Sequence, residues 1–216
     1  MPPDPTILAF DTSAAHCAAA LLSGGKIVAS RQEEMVKGQA ERLFGMLEEV
    51  LAEADLDWRA LDGIGVGTGP GNFTGVRISV SAARGLALSL GIPAVGVPLF
   101  DALAKGAEGD LILTLRAPRD AFYVQTRIDG ETSEISVRDI HDLPSAPQGT
   151  NCIGVRSAEV AARLGLLNAP AIYAPASAIA WVAAERLDNT ADRPTPLYVR
   201  PADAAPSSIA PPVILP

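Results

Sequence analysis

The chain is short of the residues that carry most catalytic and metal chemistry. It has two cysteines and two histidines in 216 residues. Cys17 and Cys152 lie far apart in sequence and form no CxxC, so they found no zinc framework. His16 and His141 belong to no HExxH, which excludes a metalloprotease of that kind. Aromatic residues make up 5 %, too few for a broad base-stacking platform. Basic residues number 17 against 25 acidic ones, a net charge of −8. A chain that gripped a polyphosphate unaided would carry the opposite sign. No run of about 18 apolar residues is present to span a bilayer. Met1 to Thr6 lacks the basic-then-apolar pattern of a signal peptide. Together these absences lead to the expectation of a cytoplasmic protein with reduced thiols and no membrane partner.

What is present is globular. Hydrophobic residues are 48 % and charged residues 19 %. A chain of this length buries about 70 % of its unfolded surface and needs no disulfide or metal to fold. Ile7 to Phe10, His16 to Leu22 and Lys26 to Arg31 read as three strands in a meander, with a hairpin turn at Ser23-Gly24-Gly25. Gly38 to Ala54 reads as a helix whose apolar stripe is Leu43, Phe44, Leu47, Val50, Leu51 and Ala54, with Met46 to one side. Asp62 to Gly67 is a strand in which every second residue is a glycine or an acid. A glycine-rich loop leads into a helix, Val76 to Leu90, stopped by Gly91 and Pro93. That helix is rich in small residues and contains Gly85, which costs about 1 kcal/mol against alanine. Close packing of another helix is the expected compensation. Ala94 to Val97 is a short strand and Pro98 to Ala104 a helix.

A polar connection from Lys105 to Asp110 marks the expected domain boundary. Beyond it, Leu111 to Leu115, Phe122 to Ile128 and Glu134 to Arg138 read as a second meander, with helices at Ser157 to Leu164 and Ser177 to Leu187. The gross order of elements therefore occurs twice. The expected division is 1–104, 105–200 and a Pro/Ala-rich tail, 201–216, extended or mobile.

Two segments are candidates for chemistry. Asp11-Thr12-Ser13 ends a buried strand, where an acid can hold a metal–water cluster against phosphates and where the same residues can also serve a turn. The loop containing Gly69, Gly71, Asn72 and Thr74 precedes a helix N-terminus and could cradle an anion, or could be a tight turn. It matches neither GxxxxGK[ST], since no lysine lies between Lys37 and Lys105, nor GxGxxG, since Thr74 stands at the third glycine position. His16 and Cys17 are neighbours on a strand and face opposite sides, so they make no dyad. No GxSxG elbow occurs. No catalytic residue and no metal set is assigned.

Ile7 to Ser13, Gln39-Ala40-Glu41-Arg42-Leu43, Gly67 to Arg77 and Pro196-Leu197-Tyr198-Val199-Arg200 resemble the TsaB (YeaZ) family, most specifically in the GPGxFTGxR block. The resemblance is strong over 6–104 and thin from 105 to 190. It implies an α/β fold of the actin, hexokinase and sugar-kinase (ASKHA) superfamily, with two domains of mixed five-stranded sheets flanked by helices. It also implies a non-catalytic scaffold subunit for N6-threonylcarbamoyladenosine on tRNAs that read ANN codons. The implied partners are the catalytic subunit TsaD and the ATPase TsaE, with tRNA reached indirectly and a homodimer when alone. Helices 38–54 and 76–90 would supply the interface, through Leu43, Met46, Leu47 and Val50 on one and Ser79, Ala82, Ala83 and Leu86 on the other. TsaD-type relatives bind metal through two histidines four apart on the first long helix. This chain has none there, and Gln39 stands where many TsaB proteins keep one.

Later motifs depart further. The family often reads DARxxEVY, where this chain has Arg116-Ala117-Pro118-Arg119-Asp120-Ala121-Phe122-Tyr123. A GDG-like turn becomes Gly154-Val155-Arg156. Asp11, Thr12, Ser13 and the loop at Gly69 are then a vestigial nucleotide site, and the missing acid and glycine pair argue against bound ATP. Arg116, Arg119 and Arg156 could draw an anion instead. An ATP-dependent kinase or ATPase of the same fold is the alternative, in which Asp11 and the loop hold Mg–ATP. A glycoprotease-like peptidase is more remote.

Overall fold

In the computed structural model, residues 4–189 and 192–199 are described. The expectation for the 201–216 tail lies outside them.

The first sheet begins as the sequence reads. β1 (Ile7–Asp11), β2 (His16–Ser23) and β3 (Lys26–Glu34) form an antiparallel meander. β3 runs three residues beyond the expected Arg31, because Gln32, Glu33 and Glu34 continue the ladder against Ala18, Cys17 and His16. α1 (Gln39–Glu53) follows, then a short 3-10 turn, then β4 (Gly63–Gly67), parallel to β1. α2 (Phe73–Leu90) starts three residues earlier than expected, because Asn72 Oδ1 accepts from the Gly75 amide at 2.9 Å and caps the helix. β5 (Ala94–Val97) pairs parallel with β4 and completes the order β3-β2-β1-β4-β5.

The second sheet repeats that order. α3 (Leu99–Leu103) leads into β6 (Leu111–Arg116) and β7 (Phe122–Ile128), followed by the short β8 (Glu131–Thr132) and β9 (Ser136–Arg138), both antiparallel to β7. β10 (Asn151–Gly154) lies parallel to β6, and β11 (Leu167–Asn168) lies parallel to β10 across α4 (Ser157–Leu164). The sheet has six strands where five were expected: the order β11-β10-β6-β7-β8, with β9 beside β7. Neither β10 nor β11 is legible in the sequence. β11 has two residues, and β10 holds only Cys152 and Ile153 between Asn151 and Gly154, so neither shows an apolar run or a period-2 pattern.

α5 (Pro175–Arg186) starts at a proline in its first turn, two residues before the expected Ser177. It crosses back to the first sheet and packs on β1, β2 and β4. This placement explains the alternating glycines of β4. A Cβ on Gly63 would come 2.5 Å from Leu187 Cδ1, and one on Gly65 would come 2.9 Å from Ala183 Cβ. The strand therefore presents bare backbone to the helix, and Ile179, Val182 and Ala183 sit close against it. α1 and α2 cover the opposite face, where Leu8, Phe10, Leu47, Val50, Ile64 and Val80 join one apolar cluster. Each face of the first sheet is thus sealed. α3 ties the halves together: Asp101 accepts from Arg127 of β7 at 2.6 Å and from Arg186 of α5 at 2.8 Å.

Candidate functional site

The apolar stripe of α1 follows the i, i+3, i+4, i+7, i+8 rule as Leu43, Met46, Leu47, Val50 and Leu51, all buried. Met46 belongs to the core and Phe44, expected on the stripe, is 48 % exposed. Six of the eight expected interface residues are therefore in the wrong place. Leu43, Met46, Leu47, Val50, Ser79 and Ala83 are buried within the chain's own core, because the sheet takes the face that the helix pattern marks as apolar. Ala82 and Leu86 are half-buried against the same cluster. The compensation expected at Gly85 is also missing inside the chain. Nothing lies within 4 Å of where its Cβ would be.

The outward residues are others. On α1 they include Glu41, Phe44 and Glu48, and on α2 Arg77, Ser81, Arg84, Gly85 and Leu88. Leu88 is 82 % exposed, and Val36, just before α1, is 81 % exposed. Gly38 to Glu41 on one side and Asn72, Thr74, Gly75 and Ile78 on the other border a recess of about 400 Å³ between the starts of the two helices. Arg77 lies over the Phe73 ring, 3.7 Å from its centroid, and donates to the Tyr198 hydroxyl at 2.9 Å. Arg42, by contrast, faces inward along β3 and holds Glu33 and Glu49 in paired hydrogen bonds of 2.6–2.9 Å. Its guanidinium holds both carboxyls below the usual carboxylate range.

The loop expected to cradle an anion is a packing joint. A Cβ on Gly71 would lie 2.4 Å from the Ser13 carbonyl oxygen, and one on Gly75 would lie 1.9 Å from that of Thr12. Thr12 Oγ1 donates to the Gly75 carbonyl at 2.7 Å, and the Asn72 amide donates to Ser13 O at 2.6 Å. Gly69 takes a left-handed φ of 91° before a cis bond to Pro70. Leu197 closes over the loop by donating its amide to Thr68 O at 2.8 Å. Two amides that could face an anion are spent, that of Gly75 on Asn72 Oδ1 and that of Asn72 on Ser13 O. Thr74 is exposed on the outer side of the joint.

Asp11 goes elsewhere. Its Oδ2 accepts from Ser13 Oγ and from His16 Nε2, each at 2.8 Å, and its side chain is fully buried. Gly67 leaves it room, since a Cβ there would sit 2.2 Å from Oδ1. Burial opposes charge on His16. The hydrogen bond to Asp11 and the charges of Asp11 and Glu34 outweigh it and raise the imidazole pKa above its ordinary value. The structure therefore brings Asp11, Ser13 and His16 together and leaves Gly69, Gly71, Asn72 and Thr74 out of that cleft. His16 was not expected to have a role. Its five-residue spacing from Asp11 across the β1–β2 turn was the available signal. Among the described residues no three His, Cys, Asp or Glu side chains are close enough to share a metal ion.

Of the arginines at the second sheet, Arg156 is engaged. It donates to Asp120 and Glu159 and lies 5.0 Å from the Phe122 ring centroid. Arg116 and Arg119 are exposed. Burial pushes the Cys17 thiol up to about 11 and raises that of Cys152, so neither is a nucleophile at neutral pH. No helix among the described residues is long and apolar enough to cross a membrane.

Residues 26–184 match the family model described as TsaD, tRNA N6-adenosine threonylcarbamoyltransferase. An uncharacterised Mycobacterium tuberculosis protein is 32 % identical over 212 residues, covering 94 % of this chain and 96 % of its own. The tRNA threonylcarbamoyladenosine biosynthesis protein TsaB of Escherichia coli is 35 % identical over 101 residues, covering 47 % of this chain and 43 % of its own. Among solved structures, a Pseudomonas aeruginosa protein with similarity to peptidase YEAZ superposes with a TM-score of 0.76 at 25 % identity, over 91 % of this chain and all of its own. The two sheets repeat one strand order, with helices on both faces of the first, and the fold is α/β.

Proposed function

The chain belongs to the family of TsaD and TsaB (YeaZ), and from that premise we propose that it serves tRNA N6-threonylcarbamoyladenosine biosynthesis in the cytoplasm as a non-catalytic subunit docked on TsaD, with TsaE as a further partner and a homodimer as its form when alone. The observation that carries this reading is the outward surface of α1 and α2. Both helices bury a full apolar stripe in the chain's own core and still expose Phe44 and Leu88. Gly85 has open space above it, so a second backbone can approach there. Glu41 and Glu48 flank Phe44 on α1, while Arg77 and Arg84 flank Ser81 on α2. A two-fold pairing that sets α1 against the partner's α2 places opposite charges together. TsaD, which shares the family, would use the same face.

The non-catalytic part is supported by what the cleft residues already do. Asp11 is tied to Ser13 and His16, and the glycine loop is packed on Thr12 and Ser13. The proposed division near residue 104 keeps both outward helices in the N-terminal unit.

Light scattering on a sizing column tests the docking, for the chain alone and mixed with its cognate TsaD. A dimer that converts to a stoichiometric complex is expected. The double variant Phe44→Glu/Leu88→Glu should keep its circular dichroism and lose both species. A monomer in every run would overturn the interface. Micromolar Mg–ATP binding with turnover by the chain alone would overturn the non-catalytic role.

A further inference from the structure

The outward faces of α1 and α2 carry opposite charge. From Gly63 to Phe100 the chain has no acidic residue, and its charged side chains there, Arg77 and Arg84, are both exposed on α2. On α1 the exposed charges are acidic, with Glu41 and Glu48 on either side of Phe44 and Glu53 at the end. Arg42 is bonded to Glu49, and Glu53 lies 3.4 Å from Arg31, so these three side chains are engaged within the chain. Glu41 and Glu48 are seven residues apart, and so are Arg77 and Arg84. Either interval is two helical turns, about 10.5 Å.

The heights of the two helices also match. Both cover one face of the first sheet, and each leads into one of the parallel strands β4 and β5, so they run side by side in one direction. Their starts are level, since Glu41 and Ile78 border the same recess. Arg77 therefore stands at about the height of Glu41, and Arg84, two turns on, at that of Glu48.

We infer that two copies of the chain pair with α1 parallel to the partner's α2, Glu41 facing the partner's Arg77 and Glu48 facing its Arg84. The inference rests on the docking reading above and gives it a direction and a register. A two-fold axis lying along the helices brings α1 over the partner's α2, keeps both pointing the same way and leaves heights unchanged. An axis across the helices would set α1 on α1 and α2 on α2, acid against acid and arginine against arginine. With heights kept, the register follows from the single chain. Phe44 comes level with Ser81 and Leu88 with Ala52, so each large exposed apolar side chain meets a small exposed residue. Gly85 lies between Ser81 and Leu88 with open space above it, which lets the helices approach. The Phe73 ring and the Tyr198 hydroxyl hold the Arg77 guanidinium in place beforehand. Symmetry repeats every one of these contacts.

A cysteine pair reads the register. Ala52→Cys and Leu88→Cys chains, mixed and oxidised, should give a one-to-one cross-linked dimer, because facing positions fall within the Cα separation of about 7 Å that a disulfide allows. Neither variant should cross-link with itself, and Cys17 and Cys152 are buried away from the reaction. Charge reversal reads the pairing. Glu48→Arg and Arg84→Glu, both at exposed positions, should each raise the dimer dissociation constant about tenfold in light scattering on a sizing column. The double variant should return it to within about threefold of wild type. A wild-type chain that is monomeric at micromolar concentration would overturn the docking reading and this inference with it. A wild-type dimer in which Ala52→Cys cross-links with itself, or in which Glu48→Arg dimerises as wild type does, would overturn the parallel pairing alone.

Discussion

The two sheets share one strand order and differ in how they are covered. The first has long strands with both faces closed: Leu8, Phe10, Ile64 and the α1–α2 stripe on one side, and Ile7, Ala9, Ile179 and Val182 on the other. The second rests on smaller clusters around Ile112 and Phe122 on one face and Phe100 and Leu113 on the other. Its outer strands β8 and β11 are two residues each and exposed. Topology therefore does not set local stability. Apolar area removed from water does, at roughly 25 cal/mol per Å².

The comparison breaks most readily under amide exchange. Amides of β1 and β4 should exchange only through global unfolding, at about 5–15 kcal/mol, while those of β8 and β11 open near zero. Equal protection in both sheets would overturn the contrast.

Next in size is a buried charge. Ala83→Glu puts a carboxylate among Phe10, Val66 and Val80 and should cost about 3–5 kcal/mol, unfolding the chain rather than merely parting a dimer. Ala162→Glu, on the exposed side of α4, should stay within about 0.5 kcal/mol. Urea midpoints of the two variants decide this.

Glycine substitutions sharpen it further. Gly75→Ala forces a Cβ onto the Thr12 carbonyl, and Gly154→Ala forces one onto that of Thr114 at a left-handed φ of 120°. Each should cost about 1–3 kcal/mol, because α2 meets the turn after β1 in one half and β10 meets β6 in the other with backbone against backbone. Gly85→Ala, with open space around it, should instead stabilise the chain alone by up to about 1 kcal/mol. The same change should weaken the proposed docking. Thermal midpoints and complex mass, measured together, separate the two effects.

The smallest effect is pH. The His16 pKa is raised in the folded chain, so its stabilising contribution is complete below the unfolded value of about 6.5 and fades as pH rises through the folded value. Asp11 and Glu34 are the charges that face it. Wild type should lose more thermal stability than His16→Gln between pH 6 and pH 8. Parallel curves would remove the Asp11–His16 pair as a stabilising contact.

Local chemistry was plain in the linear chain. Ile7 to Phe10, the Gly24-Gly25 hairpin, Phe122 to Ile128 and Ser157 to Leu164 could be read from it because runs, turns and helical spacing are properties of neighbours. The family block at Gly69 to Arg77 could be read as well. The roles of its residues could not be. Those glycines look like an anion cradle or a tight turn, and only the approach of Ser13 and Thr12 from the β1–β2 connection packs backbone against them.

The outward faces of α1 and α2 had the same dependence on distant contacts. Helical period marks an apolar side and cannot say whether the sheet or a partner will cover it. Phe44 and Met46 exchanged places for that reason. The sequence by itself determined the strand and helix inventory of the first half and the family, through local pattern and motif. Tertiary structure alone decided that α5 returns to the first sheet, that Asp11 meets His16, and which helix surface is left to face water. Each of those depends on which distant segment arrives at a face, and burial is a property of that arrival.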